Sequence, residues 1–344
     1  MLAIHHHVED SYSTKWIEYC EKNAIKYKLV NCYDSDIMEQ LKEFDALLWH
    51  WSHMDYKAQL FSRQFLYAVE FMGIPVYPNI TESLYNDDKV GEKYLLESIN
   101  APLIPSHVFY DKKSAMNWIE ETTFPKIFKL RGGAAGHNVK LIHSKSEAKR
   151  YTSKAFGRGF LATHREVAIQ DRIWYFKRDK TVKSFLNISR GIYRFFLPNP
   201  KNMMLPIEKN YLYAQDFIPN CDHDIRVFII GDRAMSKKRI VRDNDFRASG
   251  SGKAIYEMDE SQKEYIKIAF EITKKLGMRS LGFDFIKDEN GEPKIIEICY
   301  AIGIVGFLKS TGYWTKDLEW VETGKVVIED FIIEDFLDAM ENKK

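Results

Sequence analysis

Cysteine is scarce in this sequence. The four cysteines, Cys20, Cys32, Cys221 and Cys299, lie far apart and show no paired spacing. This pattern argues against a disulfide framework or a zinc site and is typical of reduced thiols in a cytoplasm. No apolar run approaches the ~20 residues that span a bilayer, and the N-terminal residues do not form a signal peptide. We therefore expect a cytoplasmic protein without a membrane span.

The sequence also lacks an excess of either positive or negative charge. The 344 residues include 50 Lys and Arg against 49 Asp and Glu, a formal net charge of +1. A nearly neutral chain produces no overall field that attracts nucleic acid or a membrane. With 45% hydrophobic and 14% aromatic residues, the composition is that of a globular protein of two or three domains. We expect no nucleic-acid partner.

The first 85 residues alternate strand-like and helix-like segments, which predicts an open α/β unit. We predict strands at 1–4, 27–32, 46–49 and 74–77, and helices at 14–23, 36–42 and 58–72. Ligands of such sheets lie beyond the carboxyl ends of the strands, where this sequence carries residues 5–7 (three histidines) and 50–53.

The three adjacent histidines allow several interpretations. A tag remnant is disfavoured because the run follows four apolar residues and has only three members. A metal site is disfavoured because adjacent strand residues point to opposite faces. We favour a solvated loop facing the substrate, and a purely structural loop is an equal alternative.

A glycine-rich segment follows a predicted strand in the middle of the chain. Residues 124–128 are strand-like, Lys129 follows, and a small-residue turn with Gly132, Gly133 and Gly136 leads to a second strand at 139–142. Glycines let backbone N–H groups approach phosphate oxygens, and the lysine supplies a positive charge. The segment predicts a flap over phosphates, although such hairpins also occur simply as turns.

Residues 151–210 differ in character from the rest of the chain. They hold twelve Lys or Arg against four Asp or Glu, with aromatic clusters at 174–176 and 193–196. One interpretation is a helical insertion with a solvated basic face. The alternatives are a lid for an anionic substrate, a dimer contact or, ranked last, a nucleic-acid surface.

The C-terminal part of the sequence predicts a hairpin with two opposed carboxylates. Strands at 282–286 and 294–298 flank the turn signal Asn290–Gly291. Counting outward from the turn, Asp284 and Glu297 can pair across the strands. Two adjacent carboxylates repel unless a cation bridges them, and Mg²⁺ is the usual solution. The alternative is that one or both point to solvent.

In these features the sequence resembles the ATP-grasp superfamily of carboxylate–amine ligases, and within it the ribosomal-protein glutamate ligase type. The resemblance covers most of the chain and is strongest over 211–300. It implies an α/β fold with α+β lobes, an ATP-grasp fold preceded by a Rossmann-like domain. The implied domains are 1–85, 86–210 (with the insertion 151–210) and 211–344.

The resemblance also implies roles for individual residues. For ATP, it implies Lys89 and Lys129 as the phosphate-binding lysines, Gly132, Gly133 and Gly136 as the flap, Gln215, Asp216 and Ile218 as the adenine hinge, and Asp224 as the contact with the ribose. For the substrate, it implies Arg226, Arg239 and Arg247 at the acyl phosphate or substrate carboxylate. For Mg²⁺, it implies Asp284 and Glu297 as ligands. One departure concerns the metal. The family usually has Glu-x-Asn where this chain has Glu297 and Cys299, and a thiol is a poor Mg²⁺ ligand.

The reaction implied by the resemblance is ATP-dependent ligation of a small carboxylate to an amine, with ATP and Mg²⁺ as cofactors. The alternatives are a phosphotransferase and a non-catalytic ATP-binding module. The sequence does not decide whether the protein forms a homodimer. The tail, with aromatic residues at 313–314 and 320, resembles a subgroup associated with surface-polysaccharide gene clusters. That would imply a sugar acid as substrate, whereas simple packing onto the helix at 328–340 is the alternative.

Overall fold

The computed structural model describes residues 1–7, 11–52, 55–133, 138–161, 172–173, 176, 180–196, 206–241, 246–247, 253–300, 303 and 306–342. The chain forms two compact units. The larger unit comprises Met1–Asn86, Tyr94–Leu103 and Asn220–Lys344, and the smaller comprises Asp87–Lys93 and Ile104–Pro219. Within the described ranges, no helix has the length and apolar character needed to cross a membrane.

The N-terminal part of the larger unit is a parallel sheet flanked by helices, as the alternating pattern predicts. The strands lie in the order β2-β1-β3-β4, and the apolar β1 is buried along its whole length, as expected for a strand covered on both faces. The elements are β1 Leu2–His5, α1 Ser13–Lys22, β2 Tyr27–Val30, α2 Ile37–Gln40, β3 Ala46–Leu48, α3 Tyr56–Phe71, β4 Val76–Tyr77 and α4 Ile80–Leu84.

The smaller unit is built on an antiparallel sheet in the order β5-β8-β6-β7. Phe128, Ile142 and Leu212 on this sheet are buried together with Ala115 and Ile119 of the helix that follows β5. The elements in this part of the chain are α5 Lys89–Ser98, β5 Ser106–Phe109, α6 Lys112–Glu121, β6 Lys126–Lys129, β7 Val139–Ile142, α7 Lys145–Ala155, α8 Val182–Phe196 and β8 Leu212–Asp216.

The C-terminal part of the larger unit holds a mainly antiparallel sheet in the order β13-β12-β9-β10-β14-β15, with β11 beside β10. Helix α9 packs Ile266 and Ala269 against Phe283 and Phe285 on one face of this sheet, and it ends at Gly277, whose φ of +64° suits a glycine. The elements are β9 His223–Ile230, β10 Arg233–Ile240, β11 Ala254–Ile255, α9 Lys263–Leu276, β12 Ser280–Lys287, β13 Pro293–Cys299, β14 Gly312–Thr315, β15 Trp320–Glu322 and α10 Ile328–Glu341.

Two features differ from the expectations drawn from the sequence. Leu212–Asp216 falls in the predicted last domain, but it pairs with β5 and β6 in the smaller unit. The aromatic tail forms strands β14 and β15, and β14 continues the large sheet beside β10. Trp314 and Trp320 pack edge to face at 5.4 Å, so packing between strands accounts for both rings.

Candidate functional site

Four ionisable residues form a row across the large sheet. Glu297 on β13 lies opposite Asp284 on β12, Asp284 lies opposite Arg226 on β9, and Arg226 lies opposite Lys237 on β10. Directly opposed residues of paired strands project from the same face. The predicted pairing of Asp284 with Glu297 is confirmed. The structure also brings Arg226 beside them.

A β-bulge sets this register. Phe285 pairs with Ile295, whereas its neighbour Asp284 pairs with Glu297, so Ile296 is an extra residue on β13. If the register of Phe285 with Ile295 continued, Ile296 would lie opposite Asp284. The bulge therefore carries Glu297 into the charged row, in keeping with the frequent use of bulges to re-aim side chains at functional sites.

Asp284 is held by two guanidinium groups. Arg226 donates from Nε to Oδ1 and from Nη2 to Oδ2, both at 2.6 Å, and Arg239 donates from Nη2 to Oδ2 at 2.7 Å. Burial alone would raise the pKa of Asp284, but the two arginines outweigh it and hold that pKa well below its usual range. The carboxylate is therefore ionised in its buried position.

Arg239 also binds a second acid. Its Nε and Nη2 donate to the two carboxylate oxygens of Asp224 at 2.6 and 2.5 Å. Arg239 and Asp224 are both buried, and this two-pronged geometry fixes the guanidinium plane. The predicted contact of Asp224 with a ribose stays a prediction, and in this structure both of its oxygens accept from Arg239.

Lys237 was not anticipated from the sequence, although it lies two residues before Arg239 and so shares its face of the strand. Its Nζ donates to the carbonyl oxygen of Gly306 at 2.5 Å and lies 4.8 Å from the Phe307 ring and 5.2 Å from the Tyr256 ring. Burial, together with the positive charges of Arg226 and Arg239, lowers the pKa of Lys237 to about 7. The position of Lys237 two residues before Arg239 was the signal available in the sequence.

In the smaller unit, the first predicted ATP lysine contacts the glycine-rich loop. Lys89 Nζ donates to the Gly133 carbonyl at 2.8 Å, and the Gly133 N–H donates to Asp87 Oδ1 at 2.7 Å. Gly133 has a φ of +124°. A Cβ at Gly132 would lie 3.1 Å from Asp87 Oδ2, so both glycines suit this close approach. Gly136 lies outside the described residues.

The other predicted nucleotide residues of the smaller unit lie at strand ends. Lys129 is the last residue of β6 and is buried. Gln215 donates from Nε2 to Ser106 Oγ at 3.1 Å, and Asp216 accepts from Lys126 Nζ at 2.6 Å. Ile218 is half-buried two residues later. In the larger unit, Arg247 is half-buried. The roles of these residues stay predictions.

Two histidines at the ends of the first and third strands, His5 and His50, are buried. His5 belongs to β1 and is buried, and its Nδ1 accepts from the Cys32 N–H at 2.9 Å. His50 is buried and stacks on Tyr12 at 3.7 Å between ring centroids. Burial lowers the pKa of His5 to about 4 and that of His50 to about 3. The expectation of a solvated loop, made for residues 5–7, is wrong for His5, which is a buried residue of β1.

The predicted metal site consists of two carboxylates, those of Asp284 and Glu297. Among the residues that the structure describes, no set of three His, Cys, Asp or Glu side chains is arranged to hold a metal ion. Cys299, at the usual Asn position, lies opposite Gly282, and its Sγ is 3.6 Å from Asn86 Oδ1. Of the predicted Mg²⁺ ligands, the structure places Asp284 and Glu297 directly opposite each other.

Solved structures identify the fold. A RimK-domain ATP-grasp protein from Sphaerobacter thermophilus superposes with a TM-score of 0.57 at 13% identity, covering 98% of this chain and 99% of that one. The protein therefore has an ATP-grasp fold.

Sequence comparisons narrow this class. Residues 159–316 match the model of the RimK-like ATP-grasp domain. A probable alpha-L-glutamate ligase of Haemophilus influenzae is 31% identical over an alignment of 144 residues that covers 38% of this chain. This chain spans only 46% of the length of that relative.

A longer match extends over nearly the whole chain. An alpha-aminoadipate–LysW ligase of Saccharolobus solfataricus is 22% identical over an alignment of 330 residues that covers 88% of this chain and 98% of that protein. The names of these relatives concern amino acids, so they lend no support to the expected link with polysaccharide synthesis.

Proposed function

We propose that this protein is an ATP-dependent ligase that joins a small carboxylate to an amine through an acyl phosphate, releasing ADP and phosphate. The observation that carries the proposal is the buried network in which Arg226 and Arg239 both bind Asp284. It holds guanidinium groups in fixed positions on a sheet face, where they can stabilise an anionic intermediate. The match to the RimK-like ATP-grasp domain supports the same class of reaction.

The proposed chemistry needs no nucleophilic side chain from the protein. A substrate carboxylate oxygen attacks the γ-phosphorus of ATP, and the bond from that phosphorus to ADP breaks. The amine then attacks the acyl carbon, and the carbon–oxygen bond to phosphate breaks, so that an amide and free phosphate leave. Arg226 and Arg239, with Arg247, would hold the negative charge that builds up on the acyl phosphate.

For ATP, the proposed ligands are the two lysines and the glycine loop. Lys89 and Lys129 are buried, and burial makes their charges strong partners for phosphate. The contact of Lys89 with Gly133 supports a joint role of the lysine and the loop. Gly132, Gly136, Gln215, Asp216, Ile218 and Asp224 complete the proposed nucleotide-binding set.

For Mg²⁺, the proposed ligands are Asp284 and Glu297. Their direct opposition on β12 and β13 supports this assignment, as does the lone pair of Asp284 Oδ1 beyond the one that Arg226 uses. Bound there, Mg²⁺ would offset the charge of the phosphates during transfer. The arginines would hold the Asp284 carboxylate in place for this purpose.

The test is product analysis with the purified full chain. Mg²⁺-ATP is offered with pools of carboxylates and amines that include glutamate, aminoadipate and sugar acids, and ADP and free phosphate are measured. We expect equal amounts of ADP and phosphate that depend on both pools. ADP without free phosphate would replace the proposal with a phosphotransferase. ATP binding without turnover in any combination would contradict the proposal in favour of a binding module.

A matched pair of variants ties the activity to the network. Arg239→Gln removes a guanidinium from Asp284, whereas Lys316→Gln removes an exposed cation from its pair with Asp232. We expect turnover to fall about 100-fold or more in Arg239→Gln and to stay unchanged in Lys316→Gln. Equal activity of the two variants would contradict the assignment of the network to the reaction.

A further inference from the structure

Helix α8 is amphipathic, and its apolar side faces outward. At about 100° per residue, Val182, Phe185, Leu186, Ile192 and Tyr193 fall within an arc of roughly 120°. All five are exposed, with relative accessibilities from 48% to 78%. A helix of a folded domain normally buries such an arc. With the polar Ser189 among them, these residues form a mainly apolar strip that runs along most of a helix about 22 Å long.

The opposite side of the helix holds its buried residues, whereas on the arc the Phe185 ring contacts the Phe176 ring at 5.5 Å between centroids. Ser184 is buried, and Gly191 is buried beneath the side chain of Arg172, which occupies the place that a Cβ would take. Ser184 and Gly191 lie seven residues apart, so they share one side of the helix. Small residues on this side allow close packing and leave the apolar arc turned away from it.

The helix begins at a local capping structure. The Ser184 N–H donates to Thr181 Oγ1 at 3.2 Å, and Ser184 Oγ donates to the Thr181 carbonyl at 2.8 Å. Thr181 thereby satisfies one of the amides that a helix start leaves without a partner. The exposed apolar arc therefore lies on a helix whose N-terminus is defined by this cap.

All charged residues of helix α8 are basic. Residues 182–196 include Lys183, Arg190 and Arg194 and contain no Asp or Glu. Lys183 and Arg190 are exposed, and on the helical wheel they follow Leu186 at one margin of the apolar arc. An apolar strip with Phe, Leu and Tyr, bordered by cations, is the pattern of a helix that lies in a membrane interface.

We propose that α8 docks this protein on an anionic membrane surface, with the apolar strip in the lipid interface and Lys183 and Arg190 at the headgroups. Charge complementarity favours lipid over a protein partner, because the helix offers cations and apolar groups but no carboxylate. The attraction is local, since the whole chain is nearly neutral. The proposal does not rest on the proposed function, because binding to lipid needs neither ATP nor a substrate.

The test is flotation of the purified full chain with vesicles. We expect binding to vesicles of phosphatidylglycerol and phosphatidylcholine and much weaker binding to phosphatidylcholine alone. The double variant Leu186→Gln, Tyr193→Gln should bind at least about tenfold more weakly. The double variant Lys183→Gln, Arg190→Gln should lose roughly 25-fold on anionic vesicles, about fivefold per cation.

The matched control is the double variant Leu60→Gln, Phe71→Gln on α3, where both apolar side chains are at least as exposed. It should bind vesicles as the native chain does. An equal loss in this control, or no binding of the native chain to anionic vesicles at low salt, would overturn the proposal. A dimer that only the Leu186→Gln, Tyr193→Gln variant dissociates, without vesicle binding, would instead make the strip an interface between copies.

Discussion

Arg226 binds Asp284 through two parallel hydrogen bonds of 2.6 Å between neighbouring strands. Asp284 is buried, so its charge depends on this contact and on Arg239. The pair therefore joins two properties of the sheet. It contributes to the stability of the fold, and it fixes a cation and an anion at the site where we place the chemistry.

Loss of Arg226 should destabilise the protein. Arg226→Gln leaves the buried carboxylate with Arg239 alone, and we expect the free energy of unfolding to fall by about 2–4 kcal/mol. Urea unfolding followed by circular dichroism measures this. Lys316→Gln, in an exposed ion pair, should leave the free energy of unfolding nearly unchanged. Similar small losses in both variants would show that Arg226 does not stabilise Asp284.

Loss of Lys129 should weaken ATP binding and leave the fold intact. Lys129→Ala removes the buried cation at the end of β6, and we expect the Kd for ATP to rise about 10- to 100-fold. Titration calorimetry with the Mg²⁺ salt of ATP measures the change. Lys140→Ala on the neighbouring strand, where the ammonium pairs with Glu147, is the control. Unchanged nucleotide binding in Lys129→Ala would reject the flap assignment.

Lys237 should make stability depend on pH. Its pKa is about 7 in the folded chain and about 10.4 in an unfolded one, so between these values the unfolded chain holds the extra proton. The contribution of Lys237 to stability therefore rises with pH in this window, by up to about 1.4 kcal/mol per unit. Lys237→Met should lack this slope.

The slope is read from urea unfolding of the native chain and Lys237→Met at several pH values from about 7 to 9. The difference in unfolding free energy between the two proteins should grow in favour of the native chain as the pH rises. Lys238→Met, on the same strand, controls for removal of a positive charge. A difference that stays constant with pH would mean that Lys237 is charged throughout.

Cys299→Asn should alter the response to Mg²⁺. Cys299 follows Glu297 by two residues and so shares its side of β13, and an amide oxygen suits Mg²⁺ better than a thiol does. We expect half-maximal ADP formation at a several-fold lower Mg²⁺ concentration. Cys221→Asn, away from β13, should leave the Mg²⁺ dependence unchanged. The same dependence in Cys299→Asn would place the metal away from this position.

The elements of the fold were readable from the sequence where one local signal dominated. The turn signal Asn290–Gly291 predicted the hairpin, and alternation predicted the parallel sheet of the first 85 residues. The strands of the aromatic tail were missed, because Gly312–Thr315 becomes a strand only by pairing with β10. The burial of His5 and His50 was missed for a related reason, since it depends on neighbouring strands and helices.

The candidate site, like the fold, was predicted from the sequence only in part. The sequence by itself determined which residue types are present and in what order: two acids on the arms of a hairpin, arginines on the preceding strands, and a lysine before a glycine loop. The turn signal predicted that the two acids pair, and only the tertiary structure decided through which register they do so and which arginines meet them. The bulge at Ile296 sets Glu297 against Asp284, and the pairing of β12 with β9 brings Arg226 to Asp284 across 58 residues of chain. Such contacts depend on register and burial, which arise from long-range packing and leave no local pattern in the sequence.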